Sequence, residues 1–177
     1  MPLKYHPEPG TILICDYTGF REPEMVKRRP VILVSPRLKH QDDLATIVPL
    51  STTAPGRVHD FHYELELEAP LPAPFDSPTM WVKADMLATV AFHRLDLVRD
   101  VRGADGKRKY LTQKIIGEQL RCVYRCVLSA IGLPNLTRHL CPPHVCMSLR
   151  CLRASGFQDL FGGGRTPGDT KLTCGSV

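Results

Sequence analysis

The sequence predicts a small, mainly β barrel with helical additions, in which one helix follows five or six short strands. Three observations lead to this prediction. Apolar or alternating segments separated by turn residues fill the first hundred positions, which is typical of strands. A single helical periodicity appears near position 120. A chain of 177 residues with 43% hydrophobic content can bury one core but is too short for two ordinary domains.

The first half of the chain contains three predicted apolar strands. Residues 11–16 follow the turn signal Pro9-Gly10, residues 30–35 form an apolar run that begins with a proline, and residues 45–49 end at another proline. Between the first two strands, residues 21–29 contain four cationic side chains. We expect this segment to form an exposed loop.

An alternating segment follows at residues 61–67. Its aromatic residues and leucines occupy one face, whereas His62, Glu64 and Glu66 occupy the other, as in a half-exposed antiparallel strand. Four prolines then predict a loop over residues 69–78.

The last predicted elements are two short strands, a turn and a helix. The strands cover residues 81–84 and 86–92 with Asp85 at the break, and Gly103 to Gly106 forms a turn. Apolar residues recur at helical spacing from Thr112, a candidate N-cap, until Gly132 and Pro134 end the helix.

The C-terminal segment differs in composition from the rest of the chain. We divide the sequence into a domain at residues 1–138 and a Cys/Gly-rich extension at residues 139–177 that we expect to be poorly ordered. The extension contains His139, His144 and several cysteines, but the paired C-x2-C spacing of strong zinc sites is missing. No metal is therefore predicted.

Charge and hydropathy limit the classes of function. A net charge of +5 is compatible with a polyanionic partner without requiring one. No apolar run approaches the length of a membrane span, and the first residues contain no hydrophobic signal core. With seven cysteines, an odd number, a disulfide framework is not expected. The expectation is a cytoplasmic protein without membrane contact.

Taken in order, four segments resemble the PemK/MazF family of toxins. They are residues 10–16, residues 27–35 with the Arg-Pro pair that begins a strand, residues 46–52 with Pro-Leu followed by hydroxyl residues, and residues 81–95. The resemblance spans roughly residues 8 to 132. It implies an SH3-like β-barrel homodimer, similar to PemK, MazF and CcdB, that cleaves single-stranded RNA selectively and without a metal or other cofactor. It also implies a cognate antitoxin that neutralises the toxin and so controls growth.

RNA contains its own nucleophile, the 2′-OH. A ribonuclease therefore has to accept that proton, stabilise the charge on the phosphorane and protonate the departing 5′-oxygen. The products of this reaction are a 2′,3′-cyclic phosphate and a 5′-OH.

The candidate catalytic residues match family positions. Arg29 corresponds to the catalytic arginine, whose planar fork of donors suits phosphate oxygens. Either Ser51 or Thr52 corresponds to the hydroxyl that orients the phosphate, and Asp85 is the candidate base for the 2′-OH proton. Lys83 would hold the phosphate beside Asp85, although some family members have arginine there.

Further residues are predicted to contribute to substrate binding. They are Lys27 and Arg28, which precede Arg29, and Glu24, which matches an acidic position in the same loop and could order that loop instead. The histidines His59, His62 and His93 match no required family position, so we expect them to be surface residues.

Two other interpretations of the sequence remain open. A barrel of this type can act as a non-catalytic toxin that binds a protein target such as DNA gyrase. The chain could also be an inactive, degraded copy, in view of Lys83 and of the unusual extension.

Overall fold

The computed structural model describes residues 3, 5–40, 43–100 and 109–140, and these ranges contain eight β-strands and one α-helix. The strands are β1 (Ile12–Cys15), β2 (Arg29–Leu33), β3 (Leu44–Ser51), β4 (His62–Glu66), β5 (Thr79–Lys83), β6 (Ala88–Ala91), β7 (Leu95–Arg99) and β8 (Tyr110–Leu111). Helix α1 spans Gly117–Ala130, and short 3-10 helices lie at Ala84–Met86, Phe92–Arg94 and Pro134–His139. The prediction of a mainly β fold with a C-terminal helix is confirmed.

The strands close into a barrel because β3 has two partners on one edge. All strand pairs are antiparallel, in the order β4-β5-β3-β2-β1-β7-β8, and β6 also pairs with β3. A short 3-10 helix joins β6 directly to β7, which pairs with β1. Strands β1, β2, β3, β6 and β7 therefore form a ring in which the 3-10 helix connects β6 to β7. Strands β4 and β5 extend from the far end of β3.

Two apolar clusters hold this arrangement together. An inner cluster fills the barrel and includes Leu13, Val31, Leu33, Ala45, Ile47 and Leu95. A helix-facing cluster includes Ile12, Ile32, Val48, Leu50, Met80 and Val82 together with Val123 and Cys126 of α1. Neighbouring residues of one strand belong to different clusters because side chains alternate between the faces of a strand. Both faces of β1, of β2 after Arg29 and of the second half of β3 are consequently buried.

Helix α1 begins later than the sequence pattern predicts. The prediction of Thr112 as N-cap is wrong, because the backbone that follows it pairs with the start of β1: Ile12 N donates to the Gln113 carbonyl at 2.9 Å, and Ile115 N donates to the Gly10 carbonyl at 3.0 Å. The predicted stop at Gly132 is confirmed. Gly132 has a φ of 80°, and Leu133 N donates to the Leu128 carbonyl at 2.8 Å, which closes a Schellman-type C-cap.

Other boundaries also differ from the predictions. Strand β2 begins at Arg29, which had been placed in the loop, and β3 continues as far as Ser51. Strands β7 and β8 were not predicted. The turn at Gly103 to Gly106 lies outside the described residues, as does most of the predicted extension. None of the helices in the described ranges is long and apolar enough to cross a membrane.

The close contact between Gly10, just before β1, and Ile115, just before α1, can be tested by substitution. Gly10 and Gly19 have nearly equal positive φ angles, 91° and 94°. A Cβ on Gly10 would lie 2.2 Å from the Ile115 carbonyl oxygen, whereas a Cβ on Gly19 would meet no atom within 4 Å. Gly19→Ala should therefore cost about 1 kcal/mol for the left-handed backbone alone. Gly10→Ala should lower the free energy of unfolding by about 3 kcal/mol, because the clash adds to that cost. Urea unfolding measures both values, and equal losses would contradict this packing.

Candidate active site

Arg29 lies at the first position of β2, at one end of the barrel. The register of β1 and β2 sets it opposite Cys15, and alternation places it on the face that carries Val31 and Leu33 of the inner cluster. The side chain is half-buried. Its Nε is buried and has no hydrogen-bond partner among the described residues. A buried donor on a permanent charge is costly to leave unsatisfied, so the position favours a polar or anionic ligand.

The groups behind Arg29 are uncharged at neutral pH. Tyr17 is only 1% exposed. Burial raises the pKa of the Tyr17 phenol, and burial also raises the pKa of the Cys15 thiol to about 11. Neither group can therefore supply a negative charge that would neutralise Arg29 from inside the barrel.

The loop between β1 and β2 forms a wall beside Arg29. Asp16 Oδ1 accepts hydrogen bonds from the Thr18 hydroxyl at 2.6 Å and from the Thr18 backbone N–H at 2.9 Å, and these bonds hold the pKa of the Asp16 carboxyl below its usual range. Arg94 Nη1 donates to the carbonyls of Asp16 and Thr18, and its guanidinium lies 5.0 Å from the centre of the Phe20 ring. The loop is thereby attached to the 3-10 helix that joins β6 to β7. Sequence reasoning assigned no such role to Arg94.

The same loop borders an open cleft of about 600 Å³. The cleft is lined by Glu22, Pro23, Glu24, Met25, Val26, Lys27 and Arg29. Glu24 Oε2 accepts a hydrogen bond from the Arg21 backbone N–H at 3.0 Å, so this carboxylate closes a turn within the loop. Lys27 is exposed at the rim. Of the predicted substrate-binding residues, Lys27 and Glu24 therefore lie beside Arg29.

Arg28 has a different neighbourhood from Arg29. Its Nη2 lies 2.7 Å from Oδ2 of Asp96 in β7, so its guanidinium is held in an ion pair across the barrel wall. Arg28 does not line the cleft. Arg28 thus connects the start of β2 to β7, whereas Arg29 faces the cleft.

Ser51 and Thr52 differ in exposure at the end of β3. Ser51 is 5% exposed and pairs with Trp81 of β5, and its Oγ accepts a hydrogen bond from the Thr53 backbone N–H at 3.1 Å. Its hydroxyl therefore orders the turn after the strand. Thr52 is exposed. Of the two candidate hydroxyls, that of Thr52 is the one open to a ligand.

Strand register brings Arg29 and Ser51 together. Strands β2 and β3 pair with Val31 opposite Pro49, and continuing this register by two residues sets Arg29 opposite Ser51. Both residues occupy the face that carries the inner cluster further along their strands. Neighbouring strands are about 4.8 Å apart, so the register places Ser51 next to Arg29 at this end of the barrel.

A second group of polar side chains lies on the same face of β4 and β5. Met80 and Val82 face the helix, so Lys83 projects from the opposite face, where His62 of β4 is its register partner. His62 Nε2 lies 3.6 Å from Oδ1 of Asp85, which is 40% exposed. The structure therefore brings the predicted pair Lys83 and Asp85 together with a histidine.

His62 corrects an expectation from the sequence. The prediction of a surface residue is wrong, because the His62 side chain is only 6% exposed. The ring lies against Phe61 at a centroid distance of 4.6 Å, close to Lys83 and Asp85, and its Nδ1 accepts a hydrogen bond from the His59 backbone N–H at 3.2 Å. Burial lowers the pKa of His62; Lys83 and His59 add to this effect, and Asp85 opposes it. The alternation along β4 predicts that His62 lies on the face opposite the apolar residues. It does not predict that other groups cover this face and bury the ring.

The described residues contain no group of three or more His, Cys, Asp or Glu side chains arranged to hold a metal ion. Of the histidine and cysteine cluster considered for zinc, only His139 is described, at the end of a 3-10 helix. The other members of that cluster lie outside the described residues.

Comparisons with known proteins place the site within one family. The model of the PemK-like, MazF-like toxins of type II toxin–antitoxin systems matches residues 8–115, which is more than half of the chain and contains every candidate residue. An uncharacterized protein of Haemophilus influenzae is 29% identical over 149 residues, covering 77% of this chain and 98% of its own length.

Solved structures give weaker similarities. A crystal structure of MazF (Form-I) from Deinococcus radiodurans has a TM-score of 0.47 at 20% identity, covering 73% of this chain and 99% of its own. The Mycobacterium tuberculosis toxin MazF-mt6 has a TM-score of 0.45 at 17% identity, covering 71% and 98%. These values are too low to bear on the roles of individual residues.

The two hydroxyl residues at the end of β3 can be separated by stability. Ser51→Ala leaves the Thr53 N–H without its acceptor and should lower the free energy of unfolding by about 1 kcal/mol. Thr52→Ala removes an exposed hydroxyl and should change stability by less than about 0.5 kcal/mol. Chemical denaturation of both variants measures the difference. A larger loss for Thr52→Ala would contradict the assignment of Ser51 as the residue that orders the turn.

Proposed function

The chain belongs to the PemK-like, MazF-like toxins of type II toxin–antitoxin systems, and we propose that it is an endoribonuclease that cleaves single-stranded RNA, including mRNA, without a metal or other cofactor. The 2′-OH attacks the adjacent phosphorus, and the products carry a 2′,3′-cyclic phosphate and a 5′-OH. The observation that carries this proposal is the position of Arg29: a half-buried arginine with an unsatisfied Nε, at the edge of an open cleft.

Arg29 is assigned to the phosphate. A guanidinium keeps its charge at every relevant pH, and its donors match the oxygens of a phosphorane. Because the neighbouring Tyr17 and Cys15 are neutral, the charge of Arg29 is available to the ligand. Stabilising charge that develops in the transition state is among the largest single contributions to catalysis. Lys27 at the rim of the cleft would attract the RNA backbone.

The remaining roles follow from exposure and position. Thr52, the exposed residue that follows Ser51, would orient the scissile phosphate, while Ser51 orders the turn. Asp85 accepts the 2′-OH proton, and Lys83 holds the phosphate group next to it. The bond from the 2′-oxygen to phosphorus forms as the bond from phosphorus to the 5′-oxygen breaks. The departing 5′-oxygen takes its proton from water, which the exposure of Thr52 and Asp85 admits.

Two residues named in the sequence analysis take structural roles in this proposal. Arg28 is engaged by Asp96 and connects β2 to β7. Glu24 orders the loop beside the cleft by accepting a hydrogen bond from Arg21. Neither residue needs to touch RNA for the mechanism to operate.

The partners of the proposed toxin are single-stranded RNA, a cognate antitoxin and a second copy of the chain. The antitoxin is expected from the family, whose members act within toxin–antitoxin systems. RNA degradation in the cytoplasm would then arrest growth until the antitoxin neutralises the toxin. The homodimer is the arrangement that the resemblance to MazF implies.

The cleavage chemistry is tested with matched RNAs in EDTA. The purified protein should cut a single-stranded RNA and leave its fully 2′-O-methylated copy intact, because methylation removes the nucleophile. End analysis should find a 2′,3′-cyclic phosphate and a 5′-OH. An Arg29→Ala protein purified in the same way controls for contaminating nucleases.

The other outcomes of this experiment are equally informative. Cleavage of both RNAs would reject 2′-OH attack. If neither RNA is cut but the expressed protein still arrests growth, the chain is a binding toxin with a protein target such as DNA gyrase. If there is neither cleavage nor growth arrest, it is an inactive copy.

A further inference from the structure

We infer that His62 is a positioning residue of the proposed ribonuclease site, and that its imidazole orients the Asp85 carboxylate for accepting the 2′-OH proton. The inference rests on the proposed function and adds to it a residue that the sequence had placed on the surface. It depends on three features of His62: its burial, the hydrogen bond at Nδ1 and the position of Nε2.

The hydrogen bond at Nδ1 determines where the ring carries its proton. The backbone N–H of His59 donates to His62 Nδ1 at 3.2 Å. A ring nitrogen that accepts a hydrogen bond carries no hydrogen, so the neutral imidazole must bear its hydrogen on Nε2. Nε2 is the nitrogen that faces Asp85 Oδ1 at 3.6 Å. His62 is thus held by the β3–β4 loop as a donor directed at the carboxylate.

The distance of 3.6 Å is longer than a hydrogen bond, and the two partners differ in exposure. His62 is 6% exposed and packed against Phe61, whereas Asp85 is 40% exposed and lies in a short 3-10 helix. A shift of less than 1 Å in the exposed carboxylate would bring the pair to the usual distance for a hydrogen bond. Hydrogen bonds of catalytic groups are often long before substrate binds. The buried ring is therefore the reference that orients the exposed carboxylate.

The charges around the ring keep it neutral at the pH of the cytoplasm. The charged or titratable groups that face His62 are Asp85, Lys83 and His59. Burial disfavours the imidazolium form, Lys83 and His59 disfavour it further, and only Asp85 favours it. A neutral donor orients Asp85 without neutralising it, so the carboxylate remains a base. Below its lowered pKa, His62 takes a proton on Nδ1 and loses the bond from His59, so the ring is no longer held as a neutral donor toward Asp85.

Two substitutions separate positioning from packing. His62→Gln retains an N–H donor near the position of Nε2 but cannot titrate, whereas His62→Leu fills the buried space without a donor. We expect the kcat of His62→Leu for RNA cleavage to fall at least 10-fold with KM within about 2-fold. We expect His62→Gln to remain within about 5-fold of the wild type. The acid limb of its kcat profile should move to lower pH, because the glutamine side chain cannot take the proton that His62 takes below its lowered pKa.

His93 provides the matched control. It is exposed in the 3-10 helix between β6 and β7, so His93→Leu should leave kcat, KM and the pH profile unchanged. Thermal unfolding of each variant establishes that the protein compared is folded.

The outcomes of this experiment distinguish the inference from the proposed function. If the wild type does not cut RNA, the proposed function fails. If the wild type cuts RNA and His62→Leu retains its kcat, the inference about His62 fails alone. The inference is also overturned if His62→Gln loses as much activity as His62→Leu, or if its acid limb does not move. Should His62→Leu not fold, the His62→Gln profile decides by itself.

Discussion

The pairing of β3 with three other strands is the constraint on which the rest of the structure depends. One edge of β3 pairs with β2, and the other edge pairs first with β6 and then with β5. The β6 half closes the barrel, and the β5 half extends the sheet toward Lys83 and Asp85. Because side chains alternate, a slip of one residue would turn Arg29 and Ser51 to the helix-facing side. The buried apolar residues of both clusters therefore hold the polar site in register.

The proposed site combines the permanent positive charge of Arg29 with neutral groups on the barrel side and with charged groups, Glu22, Glu24 and Lys27, in the cleft. Burial raises the pKa values of Tyr17 and Cys15, and within the part of the chain that the structure describes Arg29 has no carboxylate partner like that of Arg28. A fixed positive charge at the edge of the cleft can stabilise the negative charge that develops on a phosphate. The second half of the site, which contains His62, Lys83 and Asp85, also has a neutral group next to a charged one. His62 is kept neutral and can orient Asp85 without removing its negative charge. In both halves of the site, burial keeps titratable groups neutral: Tyr17 and Cys15 near Arg29, and His62 near Asp85.

Much of the fold could be predicted because apolar runs and alternation determine the faces of strands, as residues 30–35 and 61–67 illustrate. Arg29 could be nominated because the Arg-Pro pair before an apolar run resembles the family pattern. The strand β7 was missed, since its pairing with β1 joins residues about eighty positions apart. The ion pair of Arg28 with Asp96, the choice between Ser51 and Thr52 and the burial of His62 likewise depend on distant neighbours. Such contacts leave no local pattern in the sequence.

The central claim is that Arg29, and not Arg28, stabilises the reacting phosphate, and the kcat/KM of two lysine variants tests it most directly. Arg29→Lys keeps the charge but loses the planar fork, and kcat/KM for RNA cleavage should fall at least about 100-fold. Arg28→Lys can keep the ion pair with Asp96, and its kcat/KM should stay within about 3-fold of the wild type. A wild-type kcat/KM for a folded Arg29→Lys protein, or an equal loss for Arg28→Lys, would contradict the account.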